Sequence, residues 1–219
     1  MTSPSPLTSL HFTVQHPAGY EELVRLASVE PLTPACDHFY FLRHGQTGRN
    51  AQRIFQGVDE PLSELGLQQA ARAAAVLAGE PIRTLVASDA HRALTTAKTV
   101  GATLKLVPLE REDLRERHFG DLIGESSANI DWACAPANGE TLAGFVARKR
   151  GALAAALAET GPVLVVAHGG TLYVLAALLG VAIGPEVLGN AQPLKFERTG
   201  VKWSARALAQ NVDGGAAIS

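Results

Sequence analysis

Cysteine is nearly missing. The 219-residue chain has two, Cys36 and Cys134, far apart and in no CxxC pattern, which argues against both a disulfide scaffold and a thiolate metal site. A reducing, cytoplasmic setting is expected. Surplus positive charge is missing too: 19 Lys and Arg stand against 21 Asp and Glu, a formal net charge of -2. No overall field draws such a chain to nucleic acid or to an anionic membrane, so any anionic ligand has to be met by a local cluster. Long apolar runs are absent as well. Pro162 to Ala167 stops at His168, and Leu172 to Ile183 is broken by Gly180; neither reaches the roughly 20 residues of a membrane span. The opening MTSPSPLTSL has no Lys or Arg and no continuous apolar stretch, unlike a secretory leader. No internal repeat is found. With 47% hydrophobic and 18% charged residues, the chain can bury a full core, and one large domain is expected.

Residues 1 to 37 read as an N-terminal extension, with a Ser/Pro/Thr-rich start, a short amphipathic stretch GYEELVRLASVE, and PLTP as a linker. It either docks on the body or pairs with a second copy in a homodimer. From 38 to 219 short apolar runs alternate with longer helical ones, the pattern of an α/β protein. HFYFLRH (38 to 44), RTLVAS (83 to 88), LKLVP (104 to 108) and PVLVVAH (162 to 168) are apolar on successive residues, as strands buried on both faces are. The expected architecture is three-layer α/β/α around a largely parallel central sheet. Gly66, Ala70, Ala73 and Leu77 share one narrow face of a helix that can approach the sheet closely. Further helices are expected at about 89 to 101, 140 to 159 and 170 to 180. In KFERTGVKWSARAL a Thr-Gly between two extended runs predicts a terminal hairpin.

The polar residues fall at particular places on this scaffold. Arg43 and His44 end one strand, His168 ends another, and Arg92 lies in the first turn of the helix after a third. Ligands of open α/β sheets bind outside the carboxyl ends of the strands, so these four are expected in one crevice. Arginine cannot ligate a metal, and the histidines are not spaced as in HExxH, so the set makes a poor metal site. It makes a good oxyanion site. Each guanidinium is a planar fork of donors that stays charged. A unit charge pair at about 4 Å is worth about 4 kcal/mol at an effective dielectric of about 20, so local arrangement outweighs the net charge.

LRHGQTGRN, RIFQG, DEPLSELG, SDAHRALTTA, LRERHFG and VVAHGG, in that order, closely resemble the histidine phosphatase superfamily, also called the phosphoglycerate mutase-like family. The likeness covers residues 38 to 211, and the extension before His38 has no counterpart in the family core. It implies a phosphoglycerate mutase-like fold and transfer of a phosphoryl group through a phosphohistidine, with neither cofactor nor metal. By resemblance His44 is the nucleophile, and Glu116 is the general acid, later the base for water, with Asp121 and Glu125 as fallbacks. Arg43, Arg92 and His168 surround the phosphoryl group. Asn50, Gln56, Gly57 and Gly169 match phosphate or substrate contacts. Gln46 replaces a Glu frequent in the family. Chemistry agrees with these roles, since a neutral imidazole can attack in line without first losing a proton. Neighbouring arginines favour the neutral form and a bound phosphate dianion the charged one.

Mutases of the family follow the acid with RHYG and, eight residues on, a lysine; here those positions are Phe119 and Ser127. Their insertion with paired arginines is also missing, because no Arg or Lys lies between Gly120 and Glu140. Hydrolysis is therefore expected, with a small phosphorylated metabolite as substrate and inorganic phosphate as product. The alternatives are a cofactor-dependent phosphoglycerate mutase and a noncatalytic phosphate- or phosphoprotein-binding module; the second would not need nucleophile and acid together. Some features allow plainer readings. Glu116 lies in the charge run EREDLRER, and such runs usually make a solvated face. Ile123, Ile130, Trp132 and Cys134 either roof the pocket or are simply buried. Asn138 or Thr141 is expected to cap the helix that follows.

Overall fold

HFYFLR forms the first strand, β1 (His38–Arg43), with Phe39 and Phe41 facing one way and Tyr40 and Leu42 the other, all fully buried. This is a computed structural model, describing residues 17 to 184 and 187 to 208; the first part of the extension and the last residues lie outside that range. Five further strands follow: β2 (Thr84–Ser88), β3 (Leu109–Arg111), β4 (Val163–Ala167), β5 (Pro193–Thr199) and β6 (Lys202–Ala207). They form one sheet in the order β3-β2-β4-β1-β5-β6. The first four are mutually parallel, and the terminal hairpin adds two antiparallel strands beside β1. Gly200, at φ 62, makes its turn.

Both faces are covered. On one side α3 (Glu64–Leu77) and α4 (His91–Leu104) close over Tyr40, Leu42, Leu164 and Val166. On the other, α1 (Tyr20–Val29), α5 (Leu142–Leu157) and α6 (Gly169–Leu179) close over Phe39, Phe41, Val163 and Val165. The three-layer expectation holds. A one-turn helix, α2 (Gly48–Ala51), was not foreseen. Thr141 accepts from Gly144 N at 3.1 Å and caps α5, whereas Asn138 takes a left-handed φ of 55 and donates to Asp121.

Two expectations need correcting. LKLVP is not a strand: α4 continues to Leu104, Lys105 ends it in the left-handed region, and Leu106 N donates to Gly101 O at 2.9 Å. Leu104 and Leu106 spend their apolar character packing the helix end into the core. The strand comes later, at 109 to 111, where it pairs with β2 alone. Gly66 also serves a different neighbour from the one expected. Ala73 and Leu77 of its face do meet the sheet, but a Cβ on Gly66 would run into the backbone of Gln46. Gly45 faces it in turn: its Cβ would stand 2.5 Å from Gly66 O. Gly45 takes no left-handed φ, so its want of a side chain serves this close approach rather than a turn.

The extension docks on the body. Leu23 and Ala27 of α1 are fully buried in the core that α5 and α6 share. Tyr20 meets Tyr173 of α6 edge-on at 5.4 Å between ring centroids.

Candidate active site

Three parallel strands end at one edge and deliver the central side chains there. Arg43 pairs with Ala167 in the last register of β1 and β4, and His44 N then donates to Ala167 O at 3.0 Å. His44 and His168 thus leave neighbouring strands side by side, with ring centroids 5.2 Å apart. β2 ends at Ser88, whose Oγ lies 2.9 Å from His168 Nε2.

Hydrogen bonds set the tautomer of His44. Its Nδ1 is 2.7 Å from Gly45 O, and a carbonyl can only accept, so Nδ1 carries the proton. Nε2 is left with a lone pair, which accepts from Arg92 Nε at 3.3 Å. The imidazole is 3% exposed. Burial above all, then Arg92 and Arg43, holds His44 well below the usual histidine range. His168 is lowered in the same way, by burial first and then by Arg92.

Neighbouring loops place the arginines. Arg92, in the first turn of α4, also donates through Nη1 to Gly57 O at 2.7 Å. Arg43 Nη1 donates to Leu188 O at 2.7 Å, and its guanidinium passes close to Gly169. Burial lowers both arginines, and Glu116 opposes that. Among the described residues four buried side-chain polar atoms have no partner. Three belong to Arg43 (Nε), His168 (Nδ1) and Thr171 (Oγ1), at the strand ends and in the first turn of α6. An unmet buried donor or acceptor costs about 1–3 kcal/mol, and of these three residues Arg43 lines the cavity around His44.

Glu116 is held by its backbone surroundings. One carboxylate oxygen accepts from Arg117 N at 2.9 Å and the other from Gly170 N at 2.8 Å. A side chain on Gly170 would strike Glu116 and Trp132. The charge run around Glu116 is solvated only in part: Glu110 and Glu112 are exposed, whereas its C-terminal end turns inward. Arg117 is buried and donates to the carbonyls of Glu140, Trp132 and Cys134. Lys149 of α5 is fully buried and reaches the carbonyls of Asp113 and Arg115, and Arg148 joins it there and pairs with Glu140. Burial, then Arg148, brings Lys149 down to about 7.

A cavity of about 770 Å³ takes in Arg43, His44, Asn50, Gln56, Arg92, Glu116 and Gly169. Its opposite wall is apolar, with Phe55, Phe119, Ile130, Trp132 and Tyr173. A second cavity, about 1110 Å³, lies on the other side of Glu116, Gln56 and Arg92; it lacks His44 but includes Gly57 and Ile123. Seven of the nine expected site residues thus line one cavity, and His168, fully buried, backs it through its ring contact with His44. Gly57 stands apart and touches the set through its carbonyl. Asp121 and Glu125 are exposed and line neither cavity. Ile130 and Trp132 are pocket wall, and Cys134 is not.

A model of the histidine phosphatase superfamily (branch 1) matches residues 39–210. The chain belongs to this superfamily. Glucosyl-3-phosphoglycerate phosphatase of Mycobacterium tuberculosis is 39% identical over 162 residues, 63% of this chain and 73% of that protein. Agropine synthesis reductase of Rhizobium rhizogenes is 35% identical over 193 residues, 81% of this chain; the match spans only 44% of that longer protein. A solved mycobacterial glucosyl-3-phosphoglycerate phosphatase in complex with VO3 superimposes with a TM-score of 0.67 at 34% identity, covering 78% of this chain and 98% of that one.

Several residues around this histidine phosphatase site escaped the sequence reading. Asn190 Nδ2 donates to His44 O at 3.0 Å and lies 3.4 Å from Asn50 Oδ1. Thr96 accepts from Gly45 N and donates to Arg92 O, which ties the loop after His44 to α4. Ser88 and Thr96 both fall inside SDAHRALTTA, so that signal was present. Asn190 sits in no motif.

Proposed function

We propose that the protein is a metal-independent, acid-type phosphomonoester hydrolase that acts on small phosphorylated metabolites through a phosphohistidine on His44. What carries this reading is the fixed tautomer, with Nδ1–H bound to Gly45 O and the Nε2 lone pair on the Arg92 guanidinium. The ester's phosphoryl oxygens draw Arg92 and Arg43 to themselves, and His168 and Asn50 complete the cradle. Nε2 attacks phosphorus in line with the leaving oxygen, and the P–O bond breaks as Glu116 gives that oxygen its proton. Water then attacks phosphorus and returns a proton to Glu116, the P–N bond breaks, and inorganic phosphate leaves. The arginines stabilise charge on the equatorial oxygens in both steps. Gln56 and Gly169 line the path, and Gly57 acts by holding Arg92. The two cysteines are free, in keeping with a reducing cytoplasm.

Support comes from relatives named as phosphatases and from one solved with the oxyanion VO3. Mutase chemistry is disfavoured, because Phe119 offers no hydroxyl and Ser127 no cation to a substrate carboxylate. Turnover of p-nitrophenyl phosphate should persist undiminished in EDTA, and 3-phosphoglycerate with a bisphosphoglycerate primer should give little 2-phosphoglycerate. Loss of activity in EDTA, or efficient interconversion, would overturn the corresponding part.

The acid side of the pH profile follows from His44. Its folded value is lowered from 6.5, so the neutral nucleophile persists as pH falls below 6.5. The acid limb of kcat/KM is expected below that pH, and a limb at or above 6.5 would contradict it. Stability has the same sign. Below 6.5 the unfolded chain binds more protons than the native one at His44 and His168, so their contribution is full above 6.5 and lost as pH falls toward the folded values.

A further inference from the structure

Residues 17 to 20 precede the region matched by the family model, yet they reach the cavity that holds His44. Pro17 lines it. Ala18 pairs with Asp131 in a parallel bridge, and Trp132 N donates to Ala18 O at 2.8 Å. Gly19, at φ 73, turns the chain into α1 with its backbone directly on the next segment. A Cβ there would run into Ala133 N and the Asp131 carboxylate, and would stand 2.9 Å from Trp132 N. No side chain fits between the two backbones.

The segment so gripped is the cavity's apolar roof. Trp132 is 5% exposed, meets Phe119 and Tyr173 edge-on and stacks on Phe145, with ring centroids within 6.0 Å. Arg117 holds the carbonyls of Trp132 and Cys134 from beneath, and Ala18 holds the opposite edge. Tyr20 carries the contact onward to Tyr173, which walls the same cavity. Because Leu23 and Ala27 anchor α1 in the core, the grip is fixed to the body.

We propose that residues 17 to 20 of the extension are a specificity element, which sets the height of the Trp132 roof and thereby selects phosphate esters whose alcohol has an apolar or ring face. The inference rests on the reading of this cavity as the phosphomonoester site. The roof borders Glu116 at Gly170, but Arg43 and Arg92 are held elsewhere, by Leu188 and Gly57, so displacing the roof weakens the hold on the alcohol and spares the hold on the phosphate.

Gly19→Val and Tyr20→Ala test it, with 1-naphthyl phosphate as substrate and inorganic phosphate as competitive inhibitor. In Gly19→Val the KM for 1-naphthyl phosphate should rise about tenfold, with kcat little changed, while the inhibition constant of phosphate stays put. Tyr20→Ala leaves the Gly19 contact intact and should move KM the same way by less, which keeps the test valid if Gly19→Val fails to fold. Unchanged KM in a folded variant, or KM and inhibition constant rising together, overturns the specificity role alone. No turnover of any ester by the unaltered protein overturns the site reading as well.

Discussion

Replacing His44 by alanine should lower phosphate release by at least about 10⁴-fold, equivalent to roughly 5 kcal/mol of barrier. The nearest imidazole, His168, is fully buried with its Nε2 engaged by Ser88, and it does not line the cavity. Both arginines keep their carbonyl partners, Leu188 and Gly57, in the variant. Phosphate should therefore still bind, and its inhibition constant read by a direct binding method should change by less than the rate does. Acid-labile, base-stable phosphate on protein quenched during turnover should appear for the unaltered chain and vanish for His44→Ala. Full activity in that variant would remove the nucleophile assignment. Undiminished binding with no turnover by the unaltered chain would instead favour the binding module.

Glu116→Gln should separate substrates by leaving group. An alkoxide leaves only with a proton, so alkyl phosphates should slow by about 10²- to 10³-fold, while p-nitrophenyl phosphate, whose phenolate leaves unaided, should slow by less than about tenfold. The comparison matters because the substitution also disturbs geometry. Arg117 N and Gly170 N each donate to one carboxylate oxygen, and glutamine presents an NH₂ to one of them. A displaced loop would slow both substrates alike. Equal slowing would count against Glu116 as the acid.

What could be read from the sequence divides along physical lines. Continuous apolar runs marked β1, β2 and β4 because these strands are buried on both faces, and the candidate site residues were legible because they stand where those runs end. β3 was misplaced because an edge strand, three residues long and half exposed, needs no such run. Lys149, inside ARKR, looks like helix surface. Its burial depends on carbonyls of a turn more than thirty residues away, which no local pattern records. Asn190 and Leu188 act on residues some 145 positions distant, through a loop with neither repeat nor motif. The grip of Ala18 on Trp132 is a backbone contact, invisible to any reading of side chains.

Arg92 Nε donates to His44 Nε2. Under the proposed mechanism the attacking lone pair is capped by the group that would receive the phosphate, and only a partner stronger than an imidazole draws the guanidinium away. An anionic ester is such a partner; a neutral ester or a passing electrophile is not. Discrimination in favour of charged esters then begins with unlocking the nucleophile, ahead of any fit between the pocket and the rest of the molecule.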